Sequence, residues 1–192
     1  MPNVRGTAVP TSLALAVLLA TLLAGCVTRY RVEAGTPAAR VRLVTNTDDN
    51  TTFSVVDAGK CPKPPRPALL AATGHQAAAI GKEEDLKMWG ISPEPPARTR
   101  ERWLVASHRI YLTAAATSAA DDQPYRCAIG VSFVPLPGWQ YELRYQRNAA
   151  ARNCAGQVLR LLRAPSGEIV ATPDPTQQVF RGFEPDAVCA SS

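Results

Sequence analysis

The chain has 192 residues, which is enough for one ordinary domain or for one domain with a targeting segment. Hydrophobic residues make up 46% of it and charged residues 19%, a composition that excludes an intrinsically disordered protein. The formal charge is +5 and arginine far outnumbers lysine, but no dense basic run points to a nucleic-acid-binding protein. Its 17 prolines and 12 glycines argue against long helices.

The first 26 residues have the pattern of an export segment. One basic residue, Arg5, precedes an uninterrupted run of small and apolar residues from Leu13 to Leu23. As a helix this run would span about 17 Å, which is too short for the roughly 30 Å hydrocarbon layer of a bilayer. The segment therefore predicts a secretory signal peptide and not a membrane-spanning helix.

The motif Leu23-Ala24-Gly25-Cys26 closes this run and resembles the lipobox of bacterial lipoproteins. The resemblance implies that the Cys26 thiol carries diacylglycerol, that residues 1–25 are removed, and that the new amino terminus is acylated, for instance with palmitate. Several acyl chains together give stable attachment to a membrane. Val27 stands where the family's inner-membrane retention signal has Asp, so the resemblance favours the outer membrane, with the protein facing the periplasm.

The other four cysteines predict two disulfides. Once Cys26 is assigned to the lipid, Cys61, Cys127, Cys154 and Cys189 remain, and an exported protein meets an oxidising compartment. Three pairings are possible, and the sequence does not strictly choose among them. We favour Cys127–Cys154, which would tie neighbouring strands, and Cys61–Cys189, which would tie the last residues of the chain to its body.

The mature chain is divided into a lipidated tether, residues 26–38, and a single domain, residues 39–192. Frequent strand signals separated by turn residues predict an all-β fold, an antiparallel β-sandwich of about eight short strands. RVRLVT at 40–45 and TTFSVVD at 51–57 flank the polar NTDDN and predict a hairpin. Residues 82–89 allow at most one short helix.

Two later strands show the clearest period-two alternation. In the first, one face carries Tyr125, Cys127, Ile129, Val131 and Phe133, and the other carries Arg126 and Ser132. In the second, Tyr141, Leu143 and Tyr145 alternate with Glu142, Arg144 and Gln146. The run Cys127-x5-Phe133-x-Pro135-x2-Gly138-x2-Tyr141, followed by a cysteine in the next loop, resembles a pattern of small uncharacterised periplasmic β-sandwich lipoproteins. This resemblance implies a fold and a compartment, not a reaction.

Catalytic patterns are weak throughout the chain. Neither histidine, His75 or His108, has the spacing of a metal site or stands in a nucleophile motif. Acidic clusters lie in polar loops or at the start of the possible helix, where capping and solubility explain them. These clusters are Asp48-Asp49, Glu83-Glu84-Asp85 and Asp121-Asp122. The sequence therefore predicts a protein that is not an enzyme, with no catalytic residue, no metal and no cofactor.

Arg98, Arg100 and Arg102 form the best candidate for a partner surface. They alternate along a predicted strand, opposite Trp103, and arginine suits bidentate contacts with phosphate or carboxylate. The expected partner is a lipopolysaccharide phosphate, an anionic glycan or an acidic envelope protein; the compartment argues against nucleic acid. Arg29 and Arg31, close to the lipid, are expected to rest on anionic head groups of the membrane.

Three functions are compatible with these features. The first is a non-enzymatic lipoprotein, anchored in the outer membrane, that acts as a binding or structural component of the cell envelope. The alternative is an inhibitor of an envelope or host hydrolase, which would present the proline loop CPKPPRP at 61–67 as a rigid protrusion. A hydrolase with a dispersed site ranks third.

Overall fold

A computed structural model describes residues 28–61, 67–74, 84–118, 126–148, 150–182, 184 and 186–190. The strands are β1 (Ala38–Thr45), β2 (Asn50–Val56), β3 (Ala68–Thr73), β4 (Thr99–Val105), β5 (Ile110–Thr117), β6 (Arg126–Phe133), β7 (Gln140–Asn148), β8 (Asn153–Arg163), β9 (Ile169–Pro173) and β10 (Gln178–Phe180). One short helix, α1, spans Asp186–Ala190, and 3₁₀ turns lie at Ala58–Lys60 and Pro96–Arg98. None of the helices found in this part of the chain is long and apolar enough to cross a membrane.

The strands form two five-stranded sheets that pack face to face. Sheet I has the order β4-β1-β7-β8-β9, and sheet II has the order β10-β6-β5-β2-β3. The strand pairs are antiparallel except for β1 and β7, which run parallel. The predicted all-β sandwich is confirmed, with ten strands in the described residues instead of about eight.

The hairpin predicted from residues 40–45 and 51–57 is wrong. β1 pairs with β4 and β7 in sheet I, whereas β2 pairs with β3 and β5 in sheet II. The NTDDN turn therefore carries the chain from one sheet to the other. At this crossing Thr45 and Thr51 are fully buried and their hydroxyls lie 3.5 Å apart. The connections from β4 to β5 and from β6 to β7 cross between the sheets in the same way.

The hydrophobic core lies between the sheets and is built from alternate residues, as predicted for β6 and β7. The predicted inward residues Cys127, Ile129, Val131, Phe133, Tyr141, Leu143 and Tyr145 are all buried, while Tyr125 lies outside the described residues. The Phe133 and Tyr141 rings meet across the sandwich with centroids 5.1 Å apart. A Cβ at Gly156 in β8 would fall 2.0 Å from the Ile129 side chain, so only glycine permits this close approach of the two sheets.

The cysteines pair as the sequence analysis favoured, Cys61 with Cys189 and Cys127 with Cys154. Cys127 lies in sheet II and Cys154 lies in sheet I. This disulfide therefore joins the two sheets, and the expectation that it ties neighbouring strands is wrong. The Cys61–Cys189 disulfide attaches α1 to the residue that follows the Ala58–Lys60 turn.

The outer face of each sheet is covered by a non-strand segment. Val188 of α1 is fully buried and packs with Val56 and Tyr111 on the outer face of sheet II. Residues 84–91, called the strap below, cross the outer face of sheet I. The short helix considered for residues 82–89 does not form, because residues 84–88 have no regular secondary structure; residues 82 and 83 lie outside the described part.

Candidate interaction surface

Arg98, Arg100 and Arg102 do not project together from one strand face. Arg98 lies in the 3₁₀ turn that precedes β4, so its predicted place on the strand is wrong. Its Nε and Nη2 donate to the two carboxylate oxygens of Asp48 at 2.7 and 2.6 Å, and Nη1 donates to Glu94 at 3.1 Å. The hydrogen bonds and charges of these carboxylates raise the pKa of the Arg98 guanidinium. Arg98 thus joins the β1–β2 turn, which carries Asp48, to the loop before β4, which carries Glu94.

Arg100 and Arg102 lie in β4, and both donate to backbone carbonyls. Arg102 Nε donates to the carbonyl of Leu70 in β3 at 3.2 Å. The β2–β3 register shifts between Phe53 and Ser54, so Leu70 is the extra residue of a β-bulge and its carbonyl lies outside the ladder. Arg102 thus connects β4, the edge of sheet I, with β3, the edge of sheet II.

The N-terminal segment assigned to the tether pairs with the sandwich. The backbone N–H of Tyr30 donates to Leu69, and that of Leu69 donates to Thr28, both at 2.8 Å, around a parallel bridge at Arg29. The Tyr30 hydroxyl accepts a hydrogen bond from Val105 in β4 at 3.0 Å, and the side chain packs against the core. Burial raises the pKa of Tyr30 and keeps its hydroxyl neutral. This side chain therefore also closes the gap between β3 and β4.

A cleft of about 560 Å³ opens between this segment and β4, and it is called the N-terminal cleft below. Tyr30, Arg31, Glu33, Arg102 and Trp103 contribute to its walls. Trp103 lies on the face of β4 opposite Arg102, as predicted, and is 43% exposed. The cleft therefore combines an accessible aromatic ring with charges of both signs.

The most buried group of charges lies under the strap, and sequence analysis missed it. Arg42 in β1 is 3% exposed and donates to Glu142 at 3.2 Å and to Glu101 at 3.4 Å. Its Nη2 also donates to the carbonyls of Trp89 and Gly90, both at 3.1 Å. The Arg42 guanidinium thus contacts two carboxylates and two carbonyls of the strap, and these contacts fix the path of the strap.

Other polar contacts hold the strap along its length. The N–H of Leu86 donates to Glu101 at 2.8 Å, and the N–H of Trp89 donates to the Gln140 side chain at 2.7 Å. A second cleft of about 590 Å³ lies beside the strap, where Ile91 is 97% exposed.

The alternation of Arg42 with core residues in the sequence already indicated that the Arg42 side chain faces away from the core. The partner Glu142 lies 100 residues away, in a strand whose pairing with β1 no local pattern reveals.

Only some of the other histidines and acidic residues considered from the sequence lie in the part of the chain that the structure describes. His108 is exposed in the turn between β4 and β5. Asp49 forms an ion pair with Arg147, and the hydrogen bond from Lys87 lowers the pKa of exposed Asp85. Cys26, residues 62–66, His75, Glu83, Asp121 and Asp122 lie outside the described residues. Among the residues that the structure does describe, no three His, Cys, Asp or Glu side chains are grouped to hold a metal ion.

No protein-family model and no curated protein matches this chain.

Proposed function

We propose that this chain is a bacterial lipoprotein, held on the periplasmic face of the outer membrane by acylated Cys26. Its β-sandwich then acts as a non-enzymatic binding or structural component of the cell envelope. The observation that carries the proposal is the use of the cysteines. Four of the five form two disulfides, and the fifth is Cys26 of the LLAGC motif. Disulfides persist in oxidising compartments, which supports export, and the position of Cys26 after an apolar run supports acylation.

The described charges support a binding role over catalysis. Asp48, Asp49 and Glu142, which could otherwise act in acid–base chemistry, each engage an arginine of the fold. The far edge strands of the two sheets are β9 and β10, and they carry exposed apolar side chains, Val170 at 40% and Val179 at 76%. Edge strands present backbone donors and acceptors that can pair with an extended segment of a partner protein.

A Cys26→Ser variant tests the anchor. We expect the wild-type protein in the outer-membrane fraction of lysed cells and the variant in the soluble periplasmic fraction, because a serine cannot form the thioether to diacylglycerol. A circular dichroism spectrum that matches the wild type serves as control for folding. A Cys26→Ser protein that still fractionates with membranes contradicts the proposal.

A Val27→Asp variant tests the choice of membrane. The resemblance to bacterial lipoproteins predicts that Asp at this position retains the protein in the inner membrane. Val27→Ala is the matched control and should remain in the outer membrane. Wild-type protein found mainly in the inner-membrane fraction contradicts the outer-membrane assignment.

The binding role is tested by crosslinking in intact cells, followed by mass spectrometry of the retained material. We expect an envelope protein or an anionic glycan to be recovered, and recovery of neither counts against a binding role. An inhibitor of an envelope or host hydrolase remains the alternative, because the Cys61–Cys189 disulfide fixes one end of the proline loop. Inhibition of a peptidoglycan hydrolase by the purified protein, abolished by a Pro64→Ala/Pro65→Ala variant, would favour that alternative.

A further inference from the structure

We propose that the sandwich sits directly on the membrane surface, with the β3–β4 edge and the N-terminal cleft against the lipid headgroups. The edges of β9 and β10 then point into the aqueous space. This inference rests on the proposed acylation of Cys26, and it adds an orientation that acylation alone does not supply.

The chain between the lipid and the fold is short. Only Val27 separates Cys26 from Thr28, whose carbonyl is already bonded to β3. Consecutive Cα atoms lie 3.8 Å apart, so the Cα atoms of Cys26 and Thr28 are at most about 7.6 Å apart. The headgroup region on each side of a bilayer is about 5–7 Å thick. A Cys26 acylated at the membrane interface therefore leaves Thr28 within the headgroups or at their surface.

The segment that follows Cys26 is also fixed to the fold from Thr28 onward. Two backbone hydrogen bonds at 2.8 Å join residues 28–30 to Leu69, and the Tyr30 hydroxyl is bonded to Val105. The Tyr30 side chain also packs against the core. To move away from the membrane, the domain would have to break these contacts. The anchor thus determines which edge of the sandwich faces the lipid.

The surface beside the anchor has side chains that suit a membrane interface. Trp103 is 43% exposed in the N-terminal cleft, and tryptophan is enriched at membrane interfaces. Arg29 and Arg31 are exposed on the same segment and suit lipid phosphates. Glu33 and Glu84 line the cleft as well, so charge attraction is not the main force. The short tether and the Trp103 ring therefore determine which surface of the sandwich faces the headgroups.

The strand order shows which edges of the two sheets lie far from the anchor. β3 and β10 are the two edges of sheet II, and β4 and β9 are the two edges of sheet I. Four spacings between adjacent strands amount to about 19 Å. Val179 of β10 and Val170 of β9 are therefore held away from the headgroups, where a partner can reach them.

The test uses the full acylated protein, purified from membranes and reconstituted into vesicles of phosphatidylethanolamine and phosphatidylglycerol. A fraction of the lipids carries bromine near the headgroup end of the acyl chain, because bromine quenches tryptophan on close approach. A Trp89→Phe/Trp139→Phe variant leaves Trp103 as the reporter. The matched control adds Trp103→Phe and Val179→Trp, which places the one tryptophan on the far edge. Flotation of the vesicles measures attachment in each sample.

We expect brominated lipid to lower the fluorescence of Trp103 about twofold, as for an interfacial tryptophan, and to leave that of the control unchanged. A protein that floats with the vesicles while Trp103 is quenched no more than the control overturns the seating and leaves the acylation intact. A protein that carries no acyl mass and does not float overturns both.

Discussion

The outer faces of the two sheets are covered by different chemistry. On sheet II, α1 buries Val188 against Val56 and Tyr111, and a disulfide from Cys189 to Cys61 secures it. On sheet I, the strap is held by hydrogen bonds to backbone groups and by the buried guanidinium of Arg42.

The difference lies in how each cover responds to change. Apolar contacts are non-directional, so the cover of sheet II depends on buried area and on the redox state of one disulfide. Hydrogen bonds to a buried charge are directional, and removal of one partner leaves the others unsatisfied. The strap should therefore be sensitive to single side chains, whereas α1 should be sensitive to reduction.

Arg42→Leu should have the largest effect. The substitution leaves Glu101 and two strap carbonyls without their cation, and we expect a loss of about 3–5 kcal/mol in the free energy of unfolding. Chemical denaturation measures the loss. Arg144→Leu is the control, since Arg144 also contacts Glu142 but its side chain is 33% exposed. Arg144→Leu should lower the free energy of unfolding by less than Arg42→Leu does, because Glu142 keeps Arg42 as a partner, and equal losses would refute the special role of Arg42.

A Cys61→Ser/Cys189→Ser variant should have the next largest effect, about 2–4 kcal/mol, because the disulfide closes a long loop in the unfolded chain. Hydrogen exchange should show faster exchange of the α1 amides. The amides of Leu86 and Trp89 in the strap should exchange at the wild-type rate. Equal acceleration in both regions would show that the two covers are not independent.

Phe180→Ala should lower the free energy of unfolding by about 1–2 kcal/mol. The Phe180 ring meets the Tyr111 ring edge-on, with centroids 5.8 Å apart, at the border of the α1 cover. Phe180→Leu retains much of the apolar area and should cost less than half as much. Thermal unfolding of the two variants measures the difference. A Leu variant as unstable as the Ala variant would point to the ring geometry and not to buried area.

Tyr30→Phe should have the smallest effect, about 1 kcal/mol, through loss of the hydrogen bond from Val105. Burial raises the pKa of Tyr30 and of Tyr141 in the folded chain. The stability linked to these groups is therefore present below about pH 10 and is lost as pH rises through the raised folded values. Denaturation at increasing alkaline pH should show this fall, less steeply in Tyr30→Phe. An unchanged pH slope in Tyr30→Phe would show that Tyr30 does not contribute to it.

Local sequence patterns predicted which residues are buried in the core better than they predicted how consecutive strands are connected. The alternation in β6 and β7 identified buried residues because each strand has one face toward the core. The NTDDN signal predicts a turn but does not tell a hairpin from a crossing between sheets, so the β1–β2 pairing was wrong. Glu142 was predicted only to alternate with Tyr141, Leu143 and Tyr145, and its burial follows from the strap, a segment with no periodic pattern of its own.

The candidate site was predicted less completely than the fold. Arg98 and Arg102 were identified by residue type, but their partners Asp48 and Leu70 are distant in sequence and lie on other elements. The disulfide pairing, in contrast, could be favoured from the sequence because four cysteines allow few arrangements.

The most direct test of the lipoprotein assignment is the intact mass of the protein purified from membranes of its native cells. We predict a chain that begins at Cys26, with one diacylglyceryl group in place of the thiol hydrogen, one acyl group in place of an amino hydrogen, and four hydrogen atoms fewer for the two disulfides. Release of the acyl chains by mild alkali should remove the ester-linked part of that mass. A chain that begins elsewhere, or an unmodified Cys26, would contradict the central claim.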